Sequence, residues 1–185
     1  MKRVALTLLL FAAGAAMAAA GRPVDPARSE VAFSIKQMGV PVSGVFKRFT
    51  GTVSLDPAHL EAASAQIEVD VASLSTGTGE ADDTARDTPW LDAKSFPKAA
   101  FKSAAVKAQG GDRYEAAGVL TLKGKSRDVK VPFTWKAQPD GTTVAAGDFT
   151  IHRTDFGIGG GEWNQGDLVA NDVTVRFRLI LGAPR

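Results

Sequence analysis

The chain of 185 residues contains no cysteine, so neither disulfide bonds nor thiolate chemistry can contribute to its structure or activity. It has only two histidines, His59 and His152, and no His-x-x-x-His pair that would preorganise a metal site. A Gly-x-Ser-x-Gly nucleophile elbow is also absent. We therefore expect no metal site and no cofactor, and core packing must supply the stability.

An excess of charge of either sign is missing as well. The whole chain carries 22 lysines and arginines against 20 aspartates and glutamates, and loss of Lys2 and Arg3 with a leader would leave the two signs equal. Binding to nucleic acid requires clustered positive charge. We therefore expect no nucleic-acid partner.

Long apolar runs are confined to the N-terminus. A basic start, an apolar run over residues 4–16 and small residues up to Ala20 form the pattern of a secretory signal peptide. The run is too short to cross a bilayer of about 30 Å as a helix, and cleavage after Ala18 or after Ala20 fits equally well. We expect residues 1–20 to be removed on export and residues 21–185 to form one soluble periplasmic domain.

Apolar and polar residues alternate in many segments of the remaining chain, and a period of two predicts half-buried strands. The last segment is the clearest, since Val173 and Val175 share one face while Arg176 lies on the other. Pro132 predicts an edge, a bulge or an outward position, because proline cannot donate to a sheet ladder. The pattern predicts eight strands, over 29–37, 43–56, 64–72, 99–107, 113–123, 129–136, 143–153 and 173–181.

One segment lacks this alternation. Residues 80–94 begin with acidic residues, are rich in alanine and aspartate and follow Thr78, which predicts one short helical insert with an N-terminal cap. Strands without helices for parallel crossovers leave an antiparallel barrel or sandwich. Glycines within the strand segments permit the bends that closing a barrel requires. From the residues alone we therefore predict an all-β antiparallel barrel or sandwich of about eight strands.

The inward faces of the predicted strands carry many large apolar side chains. An ordinary packed core explains them, but an eight-stranded barrel is also at the size at which one small ligand fits inside. Small residues are also expected to face inward, and they favour an interior that its own side chains do not fill completely. These residues are Ala32, Ala116, Gly118 and Ala145. The candidate ligand-binding residues are Phe33, Ile35, Phe46, Phe49, Ile67, Val69, Phe101, Leu120, Leu122, Phe133, Trp135, Phe149, Ile151, Val175 and Phe177.

Arg153 is a further candidate, because it is expected to share the inward facing of Phe149 and Ile151. A buried cation is costly unless it is paired. We expect Asp155 or another acid to meet it, or else the polar head of a ligand. The ion pair is the favoured alternative, since buried charges are usually paired within the protein.

Short motifs recur in a characteristic order along the mature chain. They are FSIKQM (33–38), GVF (44–46) with Phe49 and Gly51, SLST (73–76), WLD (90–92), FP (96–97), FKS (101–103), GVLTLKG (118–124) and RTDFG (153–157). In order and spacing these motifs resemble the YceI-like family of periplasmic proteins. That family often has histidines where this sequence has Arg28 and Gln37, so no role of those histidines is carried over.

The resemblance implies a lipocalin-like barrel with a long apolar pocket for polyisoprenoid chains, such as the tails of quinones or prenyl lipids, and no catalytic residues. A bound isoprenoid lipid or quinone would be the ligand. Transient contact with a membrane or with a quinone-using membrane protein, and a homodimer, are further partner hypotheses. We expect the mouth of the pocket to be lined by Trp90 and Phe96 of the insert and by Phe156 and Trp163 of a later loop.

Three functions remain as hypotheses. The first is a carrier that sequesters or transports an isoprenoid lipid inside the barrel. The second is a filled barrel that acts as a stress-related interaction module without a lipid ligand. The third is an enzyme for a lipid-like substrate that uses Arg153 and Asp155, and the missing catalytic motifs count against it. A continuous apolar cavity favours the first hypothesis, and a solid interior favours the second.

Overall fold

The computed structural model describes residues 21–164 and 168–182, so the predicted signal peptide, residues 1–20, lies outside the described residues. An antiparallel sheet of eleven strands dominates the fold, in the order β1-β4-β5-β7-β8-β9-β10-β11-β2-β3-β6. The strands are β1 (Arg22–Pro23), β2 (Glu30–Gln37), β3 (Val40–Phe46), β4 (Phe49–Ser54), β5 (Ser64–Asp70), β6 (Leu74–Ser75), β7 (Lys98–Gly110), β8 (Arg113–Leu122), β9 (Lys125–Ala137), β10 (Thr143–His152) and β11 (Val169–Leu181).

The all-β antiparallel class is confirmed, and the structure has eleven strands where the pattern predicts about eight. The predicted segment 43–56 forms two strands, because the chain turns between β3 and β4. At that turn the amide of Lys47 donates to the Ser73 carbonyl oxygen at 3.1 Å, and the amide of Arg48 donates to Ser73 Oγ at 3.0 Å. In addition, β1 and β6 have two residues each, which is too short for an alternating pattern.

The sheet curls, and the segment 22–25 connects two strands that are distant in the sheet order. The Val24 amide donates to the carbonyl oxygen of Gly51 in β4 at 2.9 Å, and the Asp25 amide donates to the carbonyl oxygen of Ile180 in β11 at 2.8 Å. Segment 22–25 therefore fills the space between β4 and β11, and the apolar strand faces are enclosed on that side.

The predicted helical insert is confirmed but is shorter than residues 80–94. Helix α1 (Gly79–Arg86) begins after Thr78, whose side chain makes no capping hydrogen bond. Instead the carboxylate of Asp82 accepts hydrogen bonds from Thr76, at 2.5 Å from the amide and 2.7 Å from Oγ1. These bonds lower the pKa of Asp82. No helix of the described residues is long and apolar enough to span a bilayer.

Five short 3-10 helices complete the described secondary structure. They are Pro26–Arg28, Leu60–Ala62, Val71–Ser73, Arg153–Phe156 and Gly161–Asn164. The buried side chains form two apolar clusters, one around Phe49, Trp135 and Leu181 and the other around Ile151 and Phe156. The second cluster lies at the end of the sheet where β10 ends and β11 begins, and we call this the closed end.

Candidate functional site: an apolar cavity

The inner face of the curled sheet surrounds a cavity of about 140 Å³. A single water needs only about 10–15 Å³ by this measure, so the interior is not solid. Every lining residue is apolar except Ser54 and Ser64. The lining residues are Val31, Val53, Ser54, Leu55, Ser64, Ala65, Ile67, Val69, Ala99, Ala100, Phe101, Val106, Ala116, Leu120, Val131, Phe133, Ala145, Phe149, Val175, Phe177 and Leu179.

Small side chains on the inner face produce the room. Ala116 and Ala145 are both buried and both line the cavity, as the sequence predicted. The strands keep the backbone positions apart, so an alanine at an inward position leaves unfilled the volume that a larger side chain would occupy. The inward prediction for Ala32 is wrong, because its neighbours Val31 and Phe33 face inward and successive strand residues point to opposite faces.

Part of the candidate ligand-binding set lines the cavity directly. These residues are Ile67, Val69, Phe101, Leu120, Phe133, Phe149, Val175 and Phe177. A second part belongs to the packed apolar clusters: Phe46, Phe49, Trp135, Leu122, Ile151, Phe156 and Trp90. The half-buried Phe33 and Ile35 lie on β2, and the rings of Phe33 and Phe46 are 5.7 Å apart. The structure therefore brings the candidates together on and around one apolar cavity.

The residues predicted to line a mouth form a packed end instead. The rings of Trp90 and Trp163 lie 5.7 Å apart. Trp90 packs against the second cluster, which contains the buried Phe156, whereas Trp163 is 36% exposed. Phe96 lies against Gly124, where a Cβ would be 2.5 Å from the Phe96 ring. These side chains close the barrel at the closed end.

Lys123 holds the loops of the closed end together. Its Nζ donates to the carbonyl oxygens of Thr88 at 2.8 Å, Pro89 at 3.2 Å and Gly157 at 3.1 Å. Burial lowers the pKa of Lys123. One cation therefore joins the segment after α1 to the turn after β10.

Arg153 forms no ion pair with Asp155, and the favoured prediction of a structural ion pair is wrong. The Arg153 side chain is almost completely buried, with 1% of the residue exposed, whereas Asp155 is exposed. No carboxylate of the described residues lies within ion-pair distance of the guanidinium. All five of its N–H groups donate to backbone carbonyl oxygens instead: Ile158 (2.8 Å), Gly159 (2.8 Å), Val169 (2.9 Å), Ala170 (3.0 Å) and Trp163.

This arrangement makes Arg153 the organiser of the loop at the closed end. The guanidinium carbon lies 5.7 Å from the centre of the Trp90 ring, and a planar cation is stabilised over an aromatic face. Gly159 is required beside it, since a Cβ there would lie 2.5 Å from Arg153 Nη1 and its φ is +66°. Burial lowers the pKa of Arg153. With every donor occupied, Arg153 has no hydrogen bond left for a ligand head group.

The two histidines lie on the surface. His59 Nδ1 is 3.0 Å from Asp56 Oδ2, and His152 Nδ1 is 2.8 Å from Asp172 Oδ1. Within the described part of the chain, no three His, Cys, Asp or Glu side chains are grouped in a way that could hold a metal ion. The most distinctive feature of the described interior is thus the apolar cavity.

The comparison with known proteins agrees with this geometry. Residues 23–181 match the family model of the YceI-like domain. The chain belongs to the YceI-like family. A UPF0312 protein of Pseudomonas savastanoi pv. phaseolicola is 34% identical over 165 residues, which cover 85% of each chain. A UPF0312 protein of Vibrio cholerae is 30% identical over 141 residues, which cover 71% of this chain and 73% of the relative.

Solved structures share the architecture of this YceI-like domain. BcnA of Burkholderia cenocepacia is 41% identical, with a TM-score of 0.82 over 85% of this chain and 98% of that chain. A polyisoprenoid binding domain from Saccharophagus degradans is 16% identical, with a TM-score of 0.70 over 88% of this chain and 98% of that chain. At 16% identity the second likeness concerns the fold alone. The predicted family resemblance is confirmed.

Sequence reasoning missed several lining residues of the YceI-like domain. They are Val31, Val53, Ser54, Leu55, Ser64, Ala65, Ala99, Ala100, Val106, Val131 and Leu179. Most are alanines and valines, which alternation alone does not separate from ordinary wall residues. The structure supplies the missing information through the strand pairing, since Val106 lies opposite the inward-facing Ala116.

Proposed function

We propose that this YceI-like protein is a binding protein that holds one apolar lipid chain of the isoprenoid class, such as a quinone or polyprenyl tail, in its cavity. The observation that carries the proposal is the cavity itself, because apolar side chains surround an unfilled space. Burial of each methylene of a chain is worth about 0.8 kcal/mol. The apolar groups of a hydrocarbon tail that fit this space are therefore stabilised there relative to water, even after the loss of their conformational freedom.

The family supports the isoprenoid class. The Saccharophagus degradans structure, described as a polyisoprenoid binding domain, has the same fold. The lining of the present cavity has no charged side chain that could pair with a phosphate inside it. The tail, rather than a charged head, is therefore the part that the cavity would hold, and the head would stay outside.

Export to the periplasm belongs to the same proposal. The first twenty residues have the composition of a signal peptide, and a carrier for lipid tails is needed where such tails must cross an aqueous compartment. Transient contact with a membrane is also part of the proposal. Its support is an exposed apolar group at the closed end formed by Met38, Val40 and Leu168, where the Met38 amide donates to the Leu168 carbonyl oxygen at 2.8 Å.

The alternatives have less support. A filled barrel acting as an interaction module does not account for the cavity. An enzyme that uses Arg153 and Asp155 would need these side chains as a polar pair, but the first is fully engaged by backbone carbonyls and the second points to solvent. Binding without chemistry is therefore the proposed activity.

A titration with prenyl alcohols of increasing length tests the proposal. We expect geraniol, farnesol and geranylgeraniol to displace an anthraniloyl ester of farnesol with affinities that rise with each added isoprene unit. The physical reason is that every additional unit buries more apolar surface, until the slot is full. The measurement is the loss of anthraniloyl fluorescence on displacement. Affinity that falls as isoprene units are added, no displacement by any of the three alcohols, or no binding of the fluorescent ester would reject the proposal.

A further inference from the structure

Strands β9 and β10 separate along the part that leads to the closed end. They are paired between residues 134–137 of β9 and 143–146 of β10, and no ladder pair joins their described residues beyond that point. Both strands nevertheless continue, β9 paired with β8 and β10 paired with β11 as far as His152. The wall therefore has an unpaired stretch between residues 125–133 and 147–152, which we call the β9–β10 window.

Two residues explain why pairing stops there. The next steps of the register would place Gly147 opposite Phe133 and Asp148 opposite Pro132. A Cβ built on Gly147 would lie 2.2 Å from the Pro132 carbonyl oxygen, so this carbonyl points toward β10. The N and O of one strand residue face the same neighbour. Pro132 therefore lacks its hydrogen-bond donor on the side of the window, and the ladder cannot continue.

The window borders the cavity directly. On its β9 side, Val131 and Phe133 line the cavity, and on its β10 side Phe149 does so. Outside the wall, a groove of about 590 Å³ lies over the window, and its lining includes Lys130 and Thr150 from the two strands. Only the wall formed by β9 and β10 separates this outer groove from the apolar interior. A passage between the two strands would therefore connect them directly.

Side chains, rather than a backbone ladder, close the window. Val129 of β9 packs against the buried cluster that contains Ile151 of β10 and Phe156 of the turn that follows, and all three line the groove. Apolar contacts can part and reform without the loss of ladder hydrogen bonds, which hold β9 to β8 and β10 to β11 on the two sides of the window. Opening the window would therefore break fewer backbone hydrogen bonds than separating either of these paired strands.

We propose that the β9–β10 window is the lateral entry through which the apolar chain of the ligand passes into the cavity. The inference rests on the proposed function, since it supplies the route for the same ligand. A ligand that entered through the closed end would have to displace the side chains that lie there, which are Trp90, Phe156 and Trp163. Lateral entry lets a tail slide in sideways while these side chains stay in place.

A reversible cross-link across the window tests the inference. The natural chain has no cysteine, so the double variant Lys130→Cys/Thr150→Cys offers only the two introduced thiols, both at exposed positions. These are joined with a short, reducible bis-maleimide. Stopped-flow fluorescence then follows uptake of the anthraniloyl ester of farnesol, and its transfer to phosphatidylcholine vesicles measures release. We expect both rates to fall at least tenfold and to recover on reduction of the linker.

The matched control is the double variant Gln66→Cys/Lys102→Cys, which joins β5 to its paired neighbour β7 at two exposed positions outside the groove. Its cross-link should leave both rates unchanged. Normal uptake by the protein cross-linked across the window would overturn the inference while the proposed function stands. Equal slowing in the control would also overturn it, since general stiffening of the wall would then be the cause. Absence of ligand binding in the natural chain would overturn the proposed function and the inference with it.

Discussion

Replacement of Arg153 by methionine is expected to lower the free energy of unfolding by about 3–5 kcal/mol, as for removal of one partner from a buried charged network. Methionine keeps an unbranched apolar side chain but cannot donate a hydrogen bond. The carbonyl oxygens that accept from the guanidinium, such as those of Ile158 and Gly159, would stay buried without a donor. Each such loss costs roughly 1–3 kcal/mol before the loop relaxes toward water.

Two further variants give this prediction its control. Arg127 is exposed and donates a hydrogen bond from Nη1 to the adjacent Ser126 carbonyl oxygen at 2.8 Å, so Arg127→Met should change stability by less than about 0.5 kcal/mol. Arg153→Lys keeps the charge but loses the planar fork, and it should fall between the two. Urea unfolding followed by far-UV circular dichroism measures all three. A loss below about 1 kcal/mol in Arg153→Met would contradict the organising role assigned to Arg153.

Replacement of Leu120 by tryptophan is expected to weaken ligand binding at least tenfold. Leu120 lines the cavity from the inner face of β8, so the larger indole would occupy the space meant for the lipid chain. A tenfold loss of affinity corresponds to about 1.4 kcal/mol, which is the burial of roughly two methylenes. Overpacking could also cost stability, typically about 1–3 kcal/mol, so urea unfolding accompanies the fluorescence titration.

The neighbouring residue supplies a matched control for the blocked cavity. Val119 lies on the opposite face of the same strand and is 38% exposed. Val119→Trp adds the same indole one position away but directs it to solvent, so ligand affinity should remain within about twofold of the natural chain. Full ligand affinity in a folded Leu120→Trp variant would show that the lipid chain does not occupy this part of the interior.

The strand pattern was largely predictable, because one half-buried face gives a period of two. The number of strands was not predictable from this pattern. The break between β3 and β4 depends on hydrogen bonds from Lys47 and Arg48 to Ser73, a contact distant in sequence. The same limit applies to α1, where the helix stops at Arg86 although the composition of the insert continues.

The candidate site was predictable in part, and its failures have a common physical cause. Facing could be assigned by alternation, which placed Leu120, Phe149 and Val175 correctly on the cavity. Alternation says nothing about which inward side chains pack against each other and which leave space. The role of Arg153 was also not predictable, because its hydrogen-bond partners are backbone carbonyls of a loop. Every residue has such a carbonyl, so the sequence does not show which ones accept from the guanidinium. Pro132 predicted an edge, a bulge or an outward position. In the structure it lies where the pairing between β9 and β10 stops.

We propose that the interior of this YceI-like domain holds an apolar lipid chain in addition to its own side chains. The most direct measurement is extraction of the purified, exported protein with chloroform and methanol, followed by mass spectrometry of the extract. We expect the extract of the natural chain to contain an isoprenoid lipid in an amount comparable to that of the protein. The extract of Leu120→Trp should contain much less of this lipid. Repeated extracts of the natural chain that contain no lipid, from protein that also fails to bind added prenyl alcohols, would contradict the account.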